Sequence, residues 1–207
     1  MMFFHTLLEI LSTNVRRMRN FKEVFHKFLT SILPFTVAFL IFFLPVSYAQ
    51  SPKTDSLFQV LKTCGEDTQK VNILNSLARE FQNYNLDTSI NFSQQALKLA
   101  KSLLSEPISD LGWQKGIEIS YKNLGWFNYI KGNYHEALKQ YNSALLVNEK
   151  LKDKNGLIPV LGNIGNIYLS LGNYAMSLEF YFKSLAMSEE LGIKKSIASI
   201  SGNIGSI

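Results

Sequence analysis

Apolar residues recur at helical spacing in the second half of the chain. One apolar stripe runs over residues 164–171 and is followed by Gly172-Asn173. The next stripe consists of Tyr174, Leu178, Tyr181 and Leu185. Spacings of three and four residues place side chains on one face of a helix, and glycine can adopt the left-handed conformation that ends one. The pattern therefore predicts two helices joined by a short turn.

The same pattern returns every 40 residues. Asn123-Leu124-Gly125 recurs as Asn163-Ile164-Gly165 and again as Asn203-Ile204-Gly205, and Gly132-Asn133-Tyr134 recurs as Gly172-Asn173-Tyr174. Residues 121–160 and 161–200 share 11 identities in 40, which indicates internal repetition rather than similar composition. A period of this length predicts a stacked array of helical hairpins. The two helices of each unit are expected to cross closely at small residues. These are Gly125 and Gly165 on the first helices and Ala137 and Ser177 on the second.

These units resemble tetratricopeptide repeats, in particular the long variety found in kinesin light chains and in bacterial sensor proteins. The matching positions are Ile164-Gly165, Tyr168, Gly172, Tyr174, Ser177, Tyr181 and Ser184, with Asn128 replacing the aromatic residue in the preceding unit. The resemblance implies an all-α solenoid. We divide the chain into a signal peptide (1–49), a lead segment or cap (50–66), a degenerate first repeat that ends in a loop at 105–112 (67–112), a second repeat (113–155), a third repeat (156–195) and a truncated fourth repeat (196–207). Asp87 is the predicted N-cap of the second helix in the first repeat.

The first 49 residues have the pattern of an export signal. Basic residues precede an apolar block, Ile32–Val46, and the small residues Ser47 and Ala49 suit cleavage before Gln50. A start at Met18 would give a basic region of more ordinary length. We expect an exported protein, in the periplasm or cell envelope; the alternative is a membrane anchor formed by residues 28–49.

Charge and rare residues exclude several function classes. Residues 50–207 hold 16 basic and 14 acidic residues, so a basic surface for nucleic acid is not expected. One cysteine, Cys64, excludes an internal disulfide framework, and His135 is the single histidine after residue 49. No phosphate-binding glycine loop or nucleophile elbow occurs. The sequence predicts no enzyme, no cofactor and no metal site.

In the family that the chain resembles, the first helices line a concave groove. The repeat register assigns to this groove Lys122, Asn123, Trp126, Tyr129, Asn163, Asn166 and Asn203. Asparagine amides both donate and accept hydrogen bonds and could hold a peptide backbone. The alternative is that these asparagines only satisfy neighbouring helices.

The expected function is protein–protein interaction, with a peptide or partner protein in the groove. The alternative is the sensory N-terminal part of a bacterial histidine kinase or nucleotide cyclase. The chain stops at Ile207, inside the first helix of a fourth unit, and we expect it to be a fragment of a longer protein. Contact with a membrane is expected only through the N-terminal apolar segment or through a region beyond residue 207.

Overall fold

The computed structural model describes residues 52–104 and 111–207, apart from the side chain of Leu111. These residues form eight α-helices, and no β-strand occurs within the two described ranges. The predicted all-α class is confirmed for this part of the chain. The predicted signal peptide, the alternative start at Met18 and the alternative anchor at 28–49 lie outside the described residues.

The helices follow one another in antiparallel hairpins joined by short turns. They are α1 (Pro52–Thr63), α2 (Thr68–Phe81), α3 (Leu86–Leu104), α4 (Leu111–Ile130), α5 (Tyr134–Leu151), α6 (Lys154–Ser170), α7 (Tyr174–Glu190) and α8 (Lys194–Ile204). The hairpins are α2–α3, α4–α5 and α6–α7, with α1 packed on α2 and α8 packed on α7. Helices α5 and α7 begin 40 residues apart, as do α6 and α8. The predicted solenoid is therefore confirmed.

The two helices of each hairpin have different neighbours. The first helices, α2, α4, α6 and α8, contact one another in succession, whereas the backbones of α3, α5 and α7 approach only first helices within the described ranges. Neighbours on the inside of a curved stack lie closer together than those on the outside. We therefore call the surface formed by α2, α4, α6 and α8 the inner face.

Glycine ends the first helix of two hairpins. Gly132 and Gly172 have φ angles of 78° and 72°, in the left-handed region that side chains disfavour. Gly192 has a φ of 67° in the turn before α8, and its counterpart 40 residues earlier is Lys152, with a φ of 54°. The same backbone turn is thus made once with glycine and once with lysine, at a cost of about 1–2 kcal/mol for the lysine.

The predicted close crossings of paired helices are confirmed at Gly125 and Gly165. A Cβ atom on Gly125 would lie 2.9 Å from the ring of Tyr141, and one on Gly165 would lie 2.7 Å from the ring of Tyr181. Both tyrosine side chains are fully buried. The missing side chain of each glycine therefore makes room for the aromatic ring of the second helix.

Apolar side chains fill the space between hairpins in three clusters. The first centres on α2–α4 with Val71, Leu74, Ala96, Ala100 and Ile117, the second on α5–α6 with Ala137, Tyr141, Ala144, Val160, Ile164 and Ile167, and the third on α6–α8 with Ile158, Tyr181 and Ile200. Full burial of a large apolar side chain contributes about 1.5–3 kcal/mol. Each cluster draws on neighbouring hairpins, so the stacking of repeats creates the core.

Two expectations for the first repeat are wrong in detail. Asp87 does not cap α3, because the Asn85 Oδ1 atom accepts the Thr88 N–H at 3.0 Å, while Asp87 lies in the first turn and pairs with Lys131 at 2.5 Å. Asparagine and aspartate cap helices equally well, so composition alone did not separate them. The predicted loop at 105–112 is shorter at its end, since helix α4 already begins at Leu111; residues 105–110 lie outside the described ranges.

Candidate functional site

The predicted groove residues divide into three groups on the inner face. Lys122 and Asn123 are held by buried partners; Trp126 and Tyr129 form an aromatic pair at the surface; and Asn163, Asn166 and Asn203 line one groove. The structure brings the last group together across α6 and α8, whereas the side chains of the first group are bonded to buried neighbours.

Asn123 contributes to a buried polar cluster between α2 and α4. Its Nδ2 atom donates to the Oδ1 atom of Asn75 at 3.2 Å and to the Asn75 backbone oxygen at 3.3 Å. Asn75 in turn donates to the Ser120 hydroxyl at 3.0 Å and to the Gly116 carbonyl at 3.3 Å. Asn75 is 1% exposed and Asn123 is 8% exposed. At this position the asparagine satisfies a neighbouring helix, which is the alternative interpretation that the sequence left open.

Lys122 is neutralised by a carboxylate inside the array. Its Nζ atom lies 2.9 Å from the Oε1 atom of Glu118, whose side chain is fully buried. Glu118 also lies 3.2 Å from the Lys115 Nζ atom and accepts from the Asn148 Nδ2 atom at 3.3 Å. Lys115 continues the network to Asp153 at 2.6 Å. Two lysines and two carboxylates thus form a chain of ion pairs from α4 to the start of α6.

The pKa values of this network follow from its geometry. The hydrogen bond from Lys115 lowers the pKa of Asp153, partial burial opposes this effect, and the Gly156 N–H supports it. Burial by itself would lower the pKa of Lys115, but the hydrogen bond to Asp153 and the charge of Glu118 raise it above its ordinary value. Both groups are therefore charged at neutral pH.

Trp126 and Tyr129 form the aromatic group. Their ring centroids are 5.7 Å apart, and Trp126 is 37% exposed. The Trp126 indole N–H donates to the Oε1 atom of Gln82 at 3.3 Å, and the Tyr129 hydroxyl lies 3.3 Å from the Ser170 hydroxyl. The pair therefore spans three successive hairpins on the inner face.

The third group lines a groove between α6 and α8, which we call the α6–α8 groove. Its volume is about 260 Å³. The lining residues are Ile158, Pro159, Gly162, Asn163, Asn166, Lys195, Ser196, Ser199, Ile200 and Asn203. Ile158 and Ile200 are buried and give the groove an apolar floor, while the other side chains are mostly polar.

Asn166 is the centre of the hydrogen bonds in this groove. Its Oδ1 atom accepts from the Tyr181 hydroxyl at 2.5 Å and from the Asn203 Nδ2 atom at 3.4 Å. These contacts fix the direction of the amide and leave its Nδ2 atom without a hydrogen-bond partner among the described residues. A fixed, unpaired donor at the surface of a groove can serve a ligand.

Asn163 faces the hydroxyl of Tyr141. Burial raises the pKa of Tyr141, and the adjacent Asn163 side chain partly opposes the rise. The hydroxyl is enclosed by protein and makes no hydrogen bond of good geometry with the described residues. Asn163 thus lines the groove on one side and covers a buried tyrosine on the other.

No group of three or more histidine, cysteine or acidic side chains is placed to hold a metal ion in residues 52–104 and 111–207. Cys64 is a half-buried free thiol, and His135 is exposed. No helix of this part of the chain is both long and apolar enough to cross a membrane.

Comparison with known proteins finds a family that matches part of the chain. Residues 116–190, which include α5, α6 and α7, match the family model described as tetratricopeptide repeat. Over these residues the chain is therefore similar to tetratricopeptide repeats, as the resemblance predicted. The fold is generally a non-catalytic interaction module. The search of curated proteins gave no match.

Solved structures of the same fold come from several contexts. BtubC from P. vanneervenii aligns with a TM-score of 0.60 at 16% identity, over 76% of this chain and 62% of its own. A signal transduction ATPase with a tetratricopeptide repeat sensor, from Pyrococcus horikoshii, aligns with a TM-score of 0.62 at 23% identity, over 76% and 24%. Bacillus thuringiensis PlcR, in complex with the peptide PapR7 and DNA, aligns with a TM-score of 0.62 at 18% identity, over 71% and 52%. The chain spans less than two thirds of each of them, and the likeness establishes the fold alone.

Several residues of the site were not predicted from the sequence. Glu118 carried a visible signal, because its counterpart 40 residues later is the buried Ile158, and a charge at a core position indicates a special role. Lys195 and Asn75 carried none. Each acquires its role from a neighbouring helix that the local pattern does not specify.

Proposed function

We propose that this chain is a non-catalytic protein-interaction module whose inner face binds an extended peptide segment of a partner protein. The observation that carries the proposal is the α6–α8 groove, in which the Asn166 amide is fixed by Tyr181 and Asn203 and keeps its own donor unpaired. A volume of about 260 Å³ lies below the roughly 300–1,000 Å³ of small-molecule pockets. The groove therefore suits part of a chain better than a whole metabolite.

The groove offers both polarities that a peptide backbone needs. The Asn166 Nδ2 atom can donate to a peptide carbonyl, and the side-chain Oδ1 atom of Asn203 can accept a peptide N–H. Ile158 and Ile200 would contact an apolar side chain of the peptide. That PlcR, a structure of the same fold, was solved with a peptide is compatible with this role.

The experiment measures capture of peptides by the full chain. A fluorescent pool of random ten-residue peptides is titrated and binding is followed by anisotropy. The double variant Asn166→Ala/Asn203→Ala should weaken capture by about tenfold, because each lost hydrogen bond is worth ~0.5–1.5 kcal/mol. Asn142→Ala is the matched control, since Asn142 is exposed on α5 and away from the inner face. Equal capture by both variants, at unchanged helix content, would rule out the groove as the binding site.

We further propose that the module is exported behind residues 1–49 and that it does not bind nucleic acid. The near balance of 16 basic and 14 acidic residues after residue 49 supports the second point, and the basic and apolar pattern before Gln50 supports the first. N-terminal sequencing of the protein recovered from the cell envelope tests export. A product that still carries residues 28–49 would contradict cleavage and favour the anchor.

The sensory alternative is a second candidate. One of the structures that share this fold is a signal transduction ATPase whose tetratricopeptide repeats are a sensor, and this chain covers 24% of it. An array of this length could thus be one part of a larger signalling protein. Reading the coding sequence beyond codon 207 decides the point: a histidine kinase or nucleotide cyclase domain supports the alternative, and a stop codon after further repeats favours the free module.

A further inference from the structure

Charges on the inner face are paired around α4 but not at the α6–α8 groove. Lys122 is the one charged residue among the seven that the sequence assigned to the groove. Its ammonium group lies 2.9 Å from the fully buried carboxylate of Glu118, and the wider network adds Lys115 and Asp153. Two positive and two negative charges cancel. The part of the inner face around α4 is therefore close to neutral despite its lysine.

The repeat architecture does not require this carboxylate. The position 40 residues after Glu118 is Ile158, which is 3% exposed, and the counterparts of Lys122 and Asn148 are Gly162 and Ser188. Burying an ion costs several kcal/mol before its partners offset the penalty, and an apolar residue of similar size often serves stability as well or better. Glu118 is thus not explained by the stacking of the hairpins.

The α6–α8 groove has the opposite property. Lys195 is exposed, and no described carboxylate forms an ion pair with it. None of the ten lining residues is acidic, and the nearby Glu190 is paired with Lys154 at 2.5 Å. One uncompensated positive charge therefore lies at the edge of a groove that also holds the unpaired Asn166 donor.

We propose that the inner face prefers an acidic ligand through Lys195 in the α6–α8 groove and not through Lys122. Glu118 is the specificity-determining residue that makes the two lysines differ. The ligand class is an extended peptide with an acidic side chain placed against Lys195. Glu118 keeps the neighbouring half of the inner face neutral, so that a second acidic side chain gains nothing there. This inference rests on the proposed peptide binding and adds to it the charge of the partner.

The test compares two peptide pools on the full chain. Both are random ten-residue pools with blocked termini; one contains aspartate and glutamate, and the other has asparagine and glutamine in their place. Blocked termini remove any contribution from a free carboxyl end. The measured quantity is the ratio of affinities for the acidic and the amide pool. We expect a ratio of about two to five, the range of a partly exposed ion pair, and a decrease toward one as salt is raised.

Four single-residue variants test which lysine produces the preference for acidic peptides. Lys195→Gln should abolish the preference, whereas Lys122→Gln should preserve it. Glu118→Gln should increase it by a similar factor, because Lys122 then loses its carboxylate while the Asn148 bond can be kept. Lys150→Gln is the control for the loss of one positive charge, since Lys150 is exposed on α5. Lys195 is an exposed residue, so its variant remains informative even if substitution in the buried network impairs folding.

The outcomes separate the two proposals. Loss of the preference in Lys122→Gln, or a wild-type ratio of one, would overturn the assignment of the acidic preference to Lys195. The proposed peptide binding would not be affected. Binding of neither pool would overturn the proposed function and this inference with it. An equal loss in Lys195→Gln and Lys150→Gln would show that net charge, and not the groove, sets the ratio.

Discussion

The contact between Gly165 and Tyr181 allows a sharp test of how the hairpins are held together. A methyl group at position 165 would lie 2.7 Å from the Cδ1 and Cε1 atoms of the buried Tyr181 ring and 3.2 Å from its Cγ atom. Ordinary contacts between carbon atoms are about 3.5–4.0 Å. The ring cannot turn aside freely, because its hydroxyl is bonded to Asn166. Gly165→Ala must therefore push α6 and α7 apart or force the ring off its position.

The same helix provides the control for helix propensity. At Gly162 the nearest atom to an added methyl group is the Ser184 hydroxyl oxygen at 3.8 Å, which is an ordinary contact. Alanine is favoured over glycine inside a helix by about 1 kcal/mol, so Gly162→Ala should stabilise the protein by up to that amount. Overpacking costs about 1–3 kcal/mol, which in Gly165→Ala cancels or exceeds the same gain. The two variants should thus differ by about 1–3 kcal/mol.

The assay is urea denaturation of the full chain, followed by circular dichroism at the helix band. With a denaturant slope of about 1–3 kcal/mol per molar for a protein of this kind, the midpoints of the two variants should be separated by about 1 M. Gly125→Ala should behave as Gly165→Ala does, since its methyl group would meet the Tyr141 ring at 2.9 Å. If Gly165→Ala proves as stable as Gly162→Ala, the close crossing does not hold the hairpin together as described.

Three further predictions concern single residues. Lys152→Gly should stabilise the protein by up to about 1 kcal/mol, because glycine removes the strain of a φ of 54°, whereas Lys150→Gly inside the helix should destabilise it by a similar amount; urea midpoints that fall for both variants would contradict the turn geometry. The lowered pKa of Asp153 contributes stability that is present above its ordinary pKa and lost as the pH falls through the lowered value, so thermal melts between pH 6 and 3 should fall more steeply for the wild type than for Asp153→Asn, which keeps the helix cap; parallel curves would exclude the ion pair with Lys115 as the source. Asn75→Ala should cost about 1–3 kcal/mol in urea denaturation, since it leaves buried polar groups on α4 unpaired, and an unchanged midpoint would show that water replaces it.

The repeat pattern predicted the hairpins well because each depends on local sequence. The turn glycines, Gly132 and Gly172, and the small residues Gly125 and Gly165 occupy the positions that the period assigned to them. The prediction failed where two residue types serve one purpose. Asn85, and not Asp87, caps α3, since both side chains offer the same acceptor to a helix N-terminus.

The candidate site was predicted only in part. The register placed Asn163, Asn166 and Asn203 on one face, and the structure brings these three into one groove. It did not distinguish Asn163 and Asn203 from Asn123, which has the same register but donates to Asn75. The difference arises from the neighbouring helix, because α2 places the buried Asn75 against Asn123, whereas Asn203 donates to Asn166 in a groove between α6 and α8. A pattern within one repeat contains no information about what the next repeat places opposite it.

The sequence by itself determined the class of fold, because helical spacing, turn glycines and a repeated pattern are properties of short segments. The tertiary structure alone decided which polar groups remain available to a ligand. Glu118 and Lys122 lie one turn apart on α4, so the sequence alone permits their pairing, but only the packing of the hairpins buries the Glu118 carboxylate. Lys195 has no carboxylate partner among the described residues, and it lies at the groove because α8 packs beside α6. Burial and pairing are set by all the surrounding helices together, and they determine whether a charge or an amide is consumed by the fold or left for a partner.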